Sequence, residues 1–308
     1  MPSNNTKQIV KQSTNFNTLA IVTLCIANLI WGSTFVVVKE SVSMVDTFVI
    51  SATRCGIAAV LLGVYILYKS PRTLVDKTSL VYGLILGLIL ATIYISQAYA
   101  LEFTSSHSAF ITVSSTVLTP VVLALFYNIK ENKKGWLTIL IVFIGIFLLT
   151  FKNEVSSLGK DVLYGDTITF LAAIICAFQL IYSGRYVRKS NFLALIFYQF
   201  FFGTVISLIG LSFQQNVYFT FPENSFYYVA YLGVFGTLYC YFVTVWAQKY
   251  VSTITTAMIF SMEPIFASTF SYLHFGEVLG VKEFLGASLI LVGVIAYQLK
   301  KKWLKNWI

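Results

Sequence analysis

The sequence predicts an all-α integral membrane protein of ten membrane-spanning helices, set out as two inverted five-helix repeats. Three observations carry that reading: apolar residues grouped in long blocks, basic residues concentrated in alternate loops, and an internal repeat between the two halves. Hydrophobic residues make up 57% of the 308 and charged residues only 11%, where a soluble domain holds about a quarter charged residues. The blocks run to about twenty residues, the length that spans a ~30 Å hydrocarbon core as a helix.

In order, the spans are 19–38, 45–68, 79–100, 107–128, 135–151, 164–185, 191–213, 226–247, 253–274 and 281–299. Residues 1–18 form an N-terminal tail, 19–151 the first repeat, 164–299 the second, and 300–308 a basic C-terminal tail. The first block is too long for a signal-peptide core and is followed by no convincing cleavage site, so it is expected to stay as the first helix. The longest connections, 152–163 and 214–225, leave no room for a soluble domain.

Loop charge tests the count. With the N-terminus in the cytoplasm, sixteen of the 21 basic residues fall on the cytoplasmic side. Four, Lys39, Lys152, Lys160 and Lys282, fall outside, and Arg54 lies inside a span. A wrong span count would scramble this bias, so both termini are expected to be cytoplasmic. The net charge of +9 is then a matter of loop placement, and nucleic acid is not an expected partner. Cys25, Cys55, Cys176 and Cys240 sit singly within apolar blocks, a pattern that suggests neither disulfides nor a zinc site. No cofactor or metal is expected. The lack of a targeting segment suits a bacterial inner membrane.

The repeat is clearest in residues 105–131 and 252–277. Each opens with Ser/Thr, passes a small residue (Ala109, Ala257) to a proline (Pro120, Pro264), and closes on Glu131 or Glu277. Upstream, Ala100-Leu-Glu-Phe103 matches Ala247-Gln-Lys-Tyr250; downstream, Gly145 matches Gly293; Arg54 and Gln199 occupy matching slots in spans 2 and 7. An odd number of spans per half requires opposite orientation. Two near-equivalent inverted halves can exchange conformations and open a central site to either side in turn, the architecture of a secondary transporter.

Two residues inside spans are costly and therefore informative. Glu263, next to Pro264, pays at least ~2.5 kcal/mol in hydrocarbon, so it should bind a cationic group, take up a proton, or pair within the protein. Pro264 removes a backbone donor and frees a carbonyl beside it; Pro120 and Pro264 are the candidate helix breaks or hinges. Arg54 cannot shed its charge cheaply and needs a carbonyl, an acid such as Glu263, or an anionic group of the substrate. Trp31, Tyr94, Gln97, Tyr99, Gln179, Gln199, Tyr239, Tyr241 and Gln248 are polar or amphipathic residues within spans that should face a cavity or another helix. Of these, Trp31, Tyr94, Gln97, Gln179, Gln199 and Tyr239 join Arg54 and Glu263 as candidate substrate contacts. Gly83-x-x-x-Gly87 permits close helix approach, through packing within the chain or through a homodimer. His107 and His274 lie near span ends and Trp303 and Trp307 resemble interfacial anchors.

Trp31-Gly32-Ser33-Thr34-Phe35 with Lys39, Arg54, Ala109-Phe-Ile-Thr-Val113 before Pro120, Gly165-Asp166, and Met262-Glu263-Pro264-Ile-Phe-Ala267 closing on Gly276-Glu277 together resemble the EamA family of the drug/metabolite transporter superfamily. The likeness runs over nearly the whole chain in two copies. It departs at Lys130-Glu-Asn-Lys-Lys134, where many members have Glu followed by Pro or Ser. The resemblance implies ten helices, a central cavity lined by the first four of each half, helices 5 and 10 at the side, and transport of small metabolites, often export of amino acids or related compounds. No Walker A sequence is present, so ATP is not expected to drive transport on this chain. Two other classes stand as alternatives: a membrane receptor or assembly protein without transport, and an intramembrane enzyme, for which no H-E-x-x-H, G-x-S-x-G or paired intramembrane acids are found. Small-molecule substrate, lipid and protons are the partners expected, in a monomer or homodimer.

Overall fold

Apolar segments fold as helices because a chain without water around it must satisfy its N–H and C=O groups within itself. The computed structural model describes residues 4–42, 45–101, 106–129, 131–150, 160–214, 225–276 and 280–305. Among them the helices are α1 (Asn4–Val42), α2 (Thr47–Lys69), α3 (Lys77–Leu101), α4 (Ser106–Tyr127), α5 (Lys133–Thr150), α6 (Lys160–Tyr186), α7 (Phe192–Ser212), α8 (Ser225–Tyr231), α9 (Cys240–Ala247), α10 (Thr253–Phe260), α11 (Glu263–Phe275) and α12 (Val281–Lys305). A short 3-10 turn, Pro71–Val75, links α2 to α3, and a π-helical stretch, Leu232–Tyr239, runs α8 into α9 without a break. Seven described stretches are long and apolar enough to cross a membrane: those in α1, α2, α3, α6, α7, α8–α9 and α12, with Ser115–Tyr127 of α4 a shorter apolar helix. The protein is an all-helical, multi-pass membrane protein.

Most predicted ends agree with these helices to within four residues, and three differences are informative. α1 and α12 extend into both tails, to Asn4 and Lys305: once a helix is nucleated, adding a residue is easier than starting anew, so it continues past the apolar stretch. The predicted ninth span, 253–274, is two helices, with α10 ending at Phe260 and α11 beginning at Glu263. Pro264 has no N–H to offer the carbonyl of Phe260, so α11 starts afresh with the proline in its first turn, where a missing donor costs little. Pro120 instead stays inside an unbroken α4. Glu277 and Trp307 lie outside the described residues, as do the side chains of His107, Asp166 and Trp303.

Small residues set the helix contacts. A Cβ on Gly83 or Gly87 would collide with Tyr198, Gln199, Phe202 or Gly203, so this glycine pair seats α3 directly on the backbone of α7. α2 crosses α7 through Cys55 against Gly203 and a Ser51–Ser207 hydroxyl contact of 2.8 Å. α5 and α12 approach just as closely: a Cβ on Gly145 would meet the Gly286 carbonyl at 2.8 Å. Gly32 brings α1 onto α11 at Phe266, and α6 packs on both α3 and α4.

The polar ends close the ladders. Asp76 accepts from Thr78 N and the Ser79 hydroxyl at the start of α3, and reaches Asn191 N at 3.1 Å. Asn191 in turn caps α7 through Leu193 N and Ala194 N. Ser252 caps α10, and Gly276, at φ 70, ends α11 in the left-handed conformation that glycine takes without a Cβ penalty. At the opposite end from Asp76, Glu40 of α1 meets His274 Nε2 of α11 at 2.6 Å.

Candidate functional site

Arg54 projects from the middle of α2 and is 7% exposed. Its Nε donates to the Thr237 hydroxyl at 2.9 Å, and its guanidinium lies flat over the Tyr94 ring, 3.7 Å from the centroid. Stacking on an aromatic face offsets part of the cost of a desolvated cation. The Tyr94 hydroxyl also reaches Thr237 at 3.3 Å. No carboxylate of a described residue pairs with Arg54, and among the described residues its only side-chain hydrogen bond is the one from Nε. Of the partners open to Arg54, a hydroxyl and an aromatic face are the ones found; it forms no ion pair with Glu263 in this structure.

Trp31 lies between the π-helical stretch and the end of α10. Its indole N–H donates to the Gly236 carbonyl at 2.8 Å, one residue before Thr237. Its ring stands edge-on to Tyr241 at 5.4 Å and to Phe260 at 4.9 Å, the last residue of α10. Tyr241 also meets Tyr94 edge-on at 6.2 Å. Tyr239 packs beside Trp31 against Ala27, Cys240 and Val243. These side chains form one aromatic wall from Tyr94 of α3 through Tyr241 of α9 and Trp31 of α1 to Phe260 at the end of α10.

Glu263 opens α11 at that break, half-buried, and its carboxylate accepts no hydrogen bond and meets no cation among the described residues. An acid placed at a helix N-terminus gains from the helix dipole even without a side-chain partner. Cys176 of α6 shares its surroundings, and Gln97 of α3 directs its amide at the Cys176 sulfur, 3.9 Å away. Arg54, Trp31, Tyr94 and Tyr239 are therefore gathered on one wall, with Gln97 and Glu263 facing α6.

Gln179 and Gln199 are not joined to this group by any recorded contact. They are 5% and 0% exposed, and all four amide atoms lack a partner. Gln199 lies where α7 meets Gly83 and Gly87 of α3, in the tightest seam of the fold. Gln248 is structural: it accepts from Ser183 at 2.7 Å and donates to the Leu180 carbonyl at 2.8 Å, tying α9 to α6. Glu131 accepts from the Tyr297 hydroxyl at 2.7 Å, fastening the start of α5 to α12.

Three participants are not among the residues singled out from sequence. Thr237 and Gly236 hold Arg54 and Trp31, and Asn28 donates its amide to the Ile259 carbonyl at 2.9 Å beside the helix break. Asn28, an amide within an apolar block, gives a sequence signal; Gly236-Thr237 gives none beyond two small residues together. The four cysteines are free. Among the described residues no cluster of His, Cys, Asp and Glu could hold a metal.

Comparison with known proteins places this geometry. A model of the EamA-like transporter family matches twice, over residues 18–151 and 163–297. A protein of Archaeoglobus fulgidus named an uncharacterized transporter is 27% identical over 280 residues, covering 90% of this chain and 85% of that one. The uncharacterized transporter YoaV of Bacillus subtilis is 22% identical over 270 residues, covering 86% of this chain and 92% of its own. A chain in a solved crystal structure superposes with a TM-score of 0.75 at 15% identity, over 91% of this chain and 97% of that one, a likeness of fold alone. With both halves of the sequence matched, the chain belongs to the EamA-like transporter family, in keeping with the drug/metabolite transporter superfamily, and is a membrane transporter.

Proposed function

We propose that the protein is a secondary transporter that moves a small zwitterionic metabolite, an amino acid or a related compound, by alternating access. One observation carries this reading: a cation, Arg54, and an acid, Glu263, both lie within spans predicted from the sequence, and neither pairs with an opposite charge among the described residues. Uncompensated charges in a membrane interior are costly, and a substrate carrying both signs would relieve both at once. Arg54 takes the substrate carboxylate, Glu263 the ammonium, and the Trp31–Tyr241–Phe260 wall the apolar part.

Ten spans in two inverted halves fit the helix pairings. α1 packs on α9 and α11 as α6 packs on α3 and α4, α2 on the π-helical stretch as α3 on α7, while α2–α7 and α5–α12 are pairs of counterparts. Exchanging the halves leaves that pattern nearly unchanged, as two interconvertible conformations require. We take both termini as cytoplasmic on the loop-charge bias, in a bacterial inner membrane, with export as the direction that the family resemblance implies. Glu263 is also the proton site of a coupled cycle.

Flux of labelled amino acids into proteoliposomes tests the reading. Wild-type protein should transport at least one, and Arg54→Ala should remove that flux. Glu263→Gln should reduce it and flatten its dependence on pH. Undiminished, pH-independent transport by Glu263→Gln would remove both proton coupling and the ammonium contact from the account, leaving the role of Arg54.

A further inference from the structure

An ordinary α-helix would not present Gly236 and Thr237 as they stand. The segment Leu232–Tyr239 is wound as a π-helix, in which Cys240 N–H bonds to the Phe235 carbonyl five residues back. Such a stretch fits an extra residue per turn and so rotates the side chains that follow it. Here it puts three fixed points around one guanidinium. The Thr237 hydroxyl, fully buried, holds Nε at 2.9 Å. The Tyr94 ring covers one face at 3.7 Å. The backbone of Gly236 passes beside Nη2, where a Cβ would stand 3.4 Å from that nitrogen and 2.8 Å from Thr34 Cγ2. The Gly236 carbonyl, meanwhile, is held by Trp31.

With Nε and one face engaged, the edge without a partner among the described residues is the one formed by the two Nη groups. That edge matches two coplanar oxygens, as in a carboxylate, and a carboxamide offers it only one acceptor. We propose that Thr237 and Gly236, set by the π-helical stretch, are positioning residues that hold Arg54 as a carboxylate-selective fork. This deepens the reading in which Arg54 meets the substrate and rests on it. Without the Thr237 hydroxyl, Nε is a buried charged donor lacking an acceptor, and the guanidinium turns to find another, taking the Nη edge out of line. A side chain at 236 acts differently, leaving Nε bonded while pressing on Thr34 Cγ2 and filling the space beside Nη2.

The test uses the full-length protein in nanodiscs with 15N-labelled arginine, the Arg54 Nε–H signal being identified by its loss in Arg54→Lys. Slow hydrogen exchange is expected for wild type and Thr237→Ser, and exchange faster by about tenfold or more for Thr237→Val, in line with losing one charge-assisted hydrogen bond. Binding is read in the same preparations by thermal shift with each of the twenty L-amino acids and its carboxamide. For any acid that binds wild type, Thr237→Val should lower affinity about tenfold, leave the carboxamide within about twofold, and be rescued by Thr237→Ser. Gly236→Ala should weaken the acid while Nε–H exchange stays slow. Unchanged exchange in Thr237→Val, or equal loss for acid and carboxamide, overturns the proposal. A wild type that binds none of the acids overturns the substrate reading instead, and the exchange rates alone then decide whether Thr237 positions Arg54.

Discussion

Gln199 shows how far a single side chain can be read from sequence. An amide inside an apolar span was expected to find a cavity or a hydrogen-bonding neighbour, because burying it bare costs about 1–3 kcal/mol. Its slot matches that of Arg54, yet it lies fully buried with both amide atoms unpartnered. Gln199→Leu, close in volume, should therefore leave stability unchanged or raise it by about 1 kcal/mol, read by thermal unfolding in detergent. A loss of stability would show that the amide has a partner. Arg54 was legible because its charge cannot be hidden. Thr237 was not, because a hydroxyl in an apolar helix usually bonds its own backbone, as Thr244 does to the Cys240 carbonyl at 2.7 Å. Only the tertiary placement of the guanidinium sets Thr237 apart.

Asp76 carries a pH dependence at the same scale. Hydrogen bonds from Ser79 first, and then from Asn191 N–H, hold its carboxyl below the usual range, against a small opposing effect of burial. The folded chain thus binds this proton less readily than the unfolded chain. Its stabilisation is complete above the unfolded value near ~3.9 and is lost as pH falls through the lower folded value. Asp76→Asn should lack that acid-side loss. Thermal midpoints of the two proteins should differ at pH 6 and converge toward pH 3, and a constant gap would contradict this.

Among the elements, the span boundaries were readable from hydropathy, as with α7, predicted at 191–213 and found at Phe192–Ser212. The helix break at 261–262 was partly readable: Pro264 announced a disturbance, and sequence could not say whether the chain would bend, as an unbroken α4 does around Pro120, or stop. Asn28 adds a second hydrogen bond to the Ile259 carbonyl, which also accepts from Met262 N–H, a contact between residues 231 apart in sequence. The π-helical stretch had no signal at all, since apolar periodicity in a membrane says little about helix pitch. The α5–α12 seam gives a sharper test. Gly145→Leu would drive a side chain into the Gly286 carbonyl and Ile290, and overpacking of this kind costs about 1–3 kcal/mol or more. A lowered thermal midpoint is expected, with the amino-acid specificity of any remaining flux unchanged. Altered specificity would place these helices at the substrate path rather than at the side.

For the whole molecule, the sequence predicts two halves from matched prolines, acids and glycines, and the family model matches twice, over 18–151 and 163–297. What the repeat did not reveal is how the halves differ. The first half supplies the cation and its aromatic platform, Arg54 and Tyr94, and the second supplies Thr237, Gly236 and the acid of the broken helix, Glu263. Each charge belongs to one half alone, so a substrate bridging them would bind across the interface of the halves, where the proposed alternating-access cycle puts its conformational exchange. The most direct test is flux through purified protein in proteoliposomes across a panel of zwitterions, organic anions and organic cations, with Arg54→Ala and Glu263→Gln in parallel. The account expects zwitterions to move, Arg54→Ala to abolish their transport, and Glu263→Gln to weaken it. Transport of cations or anions alone, or zwitterion flux unchanged in both variants, would contradict it.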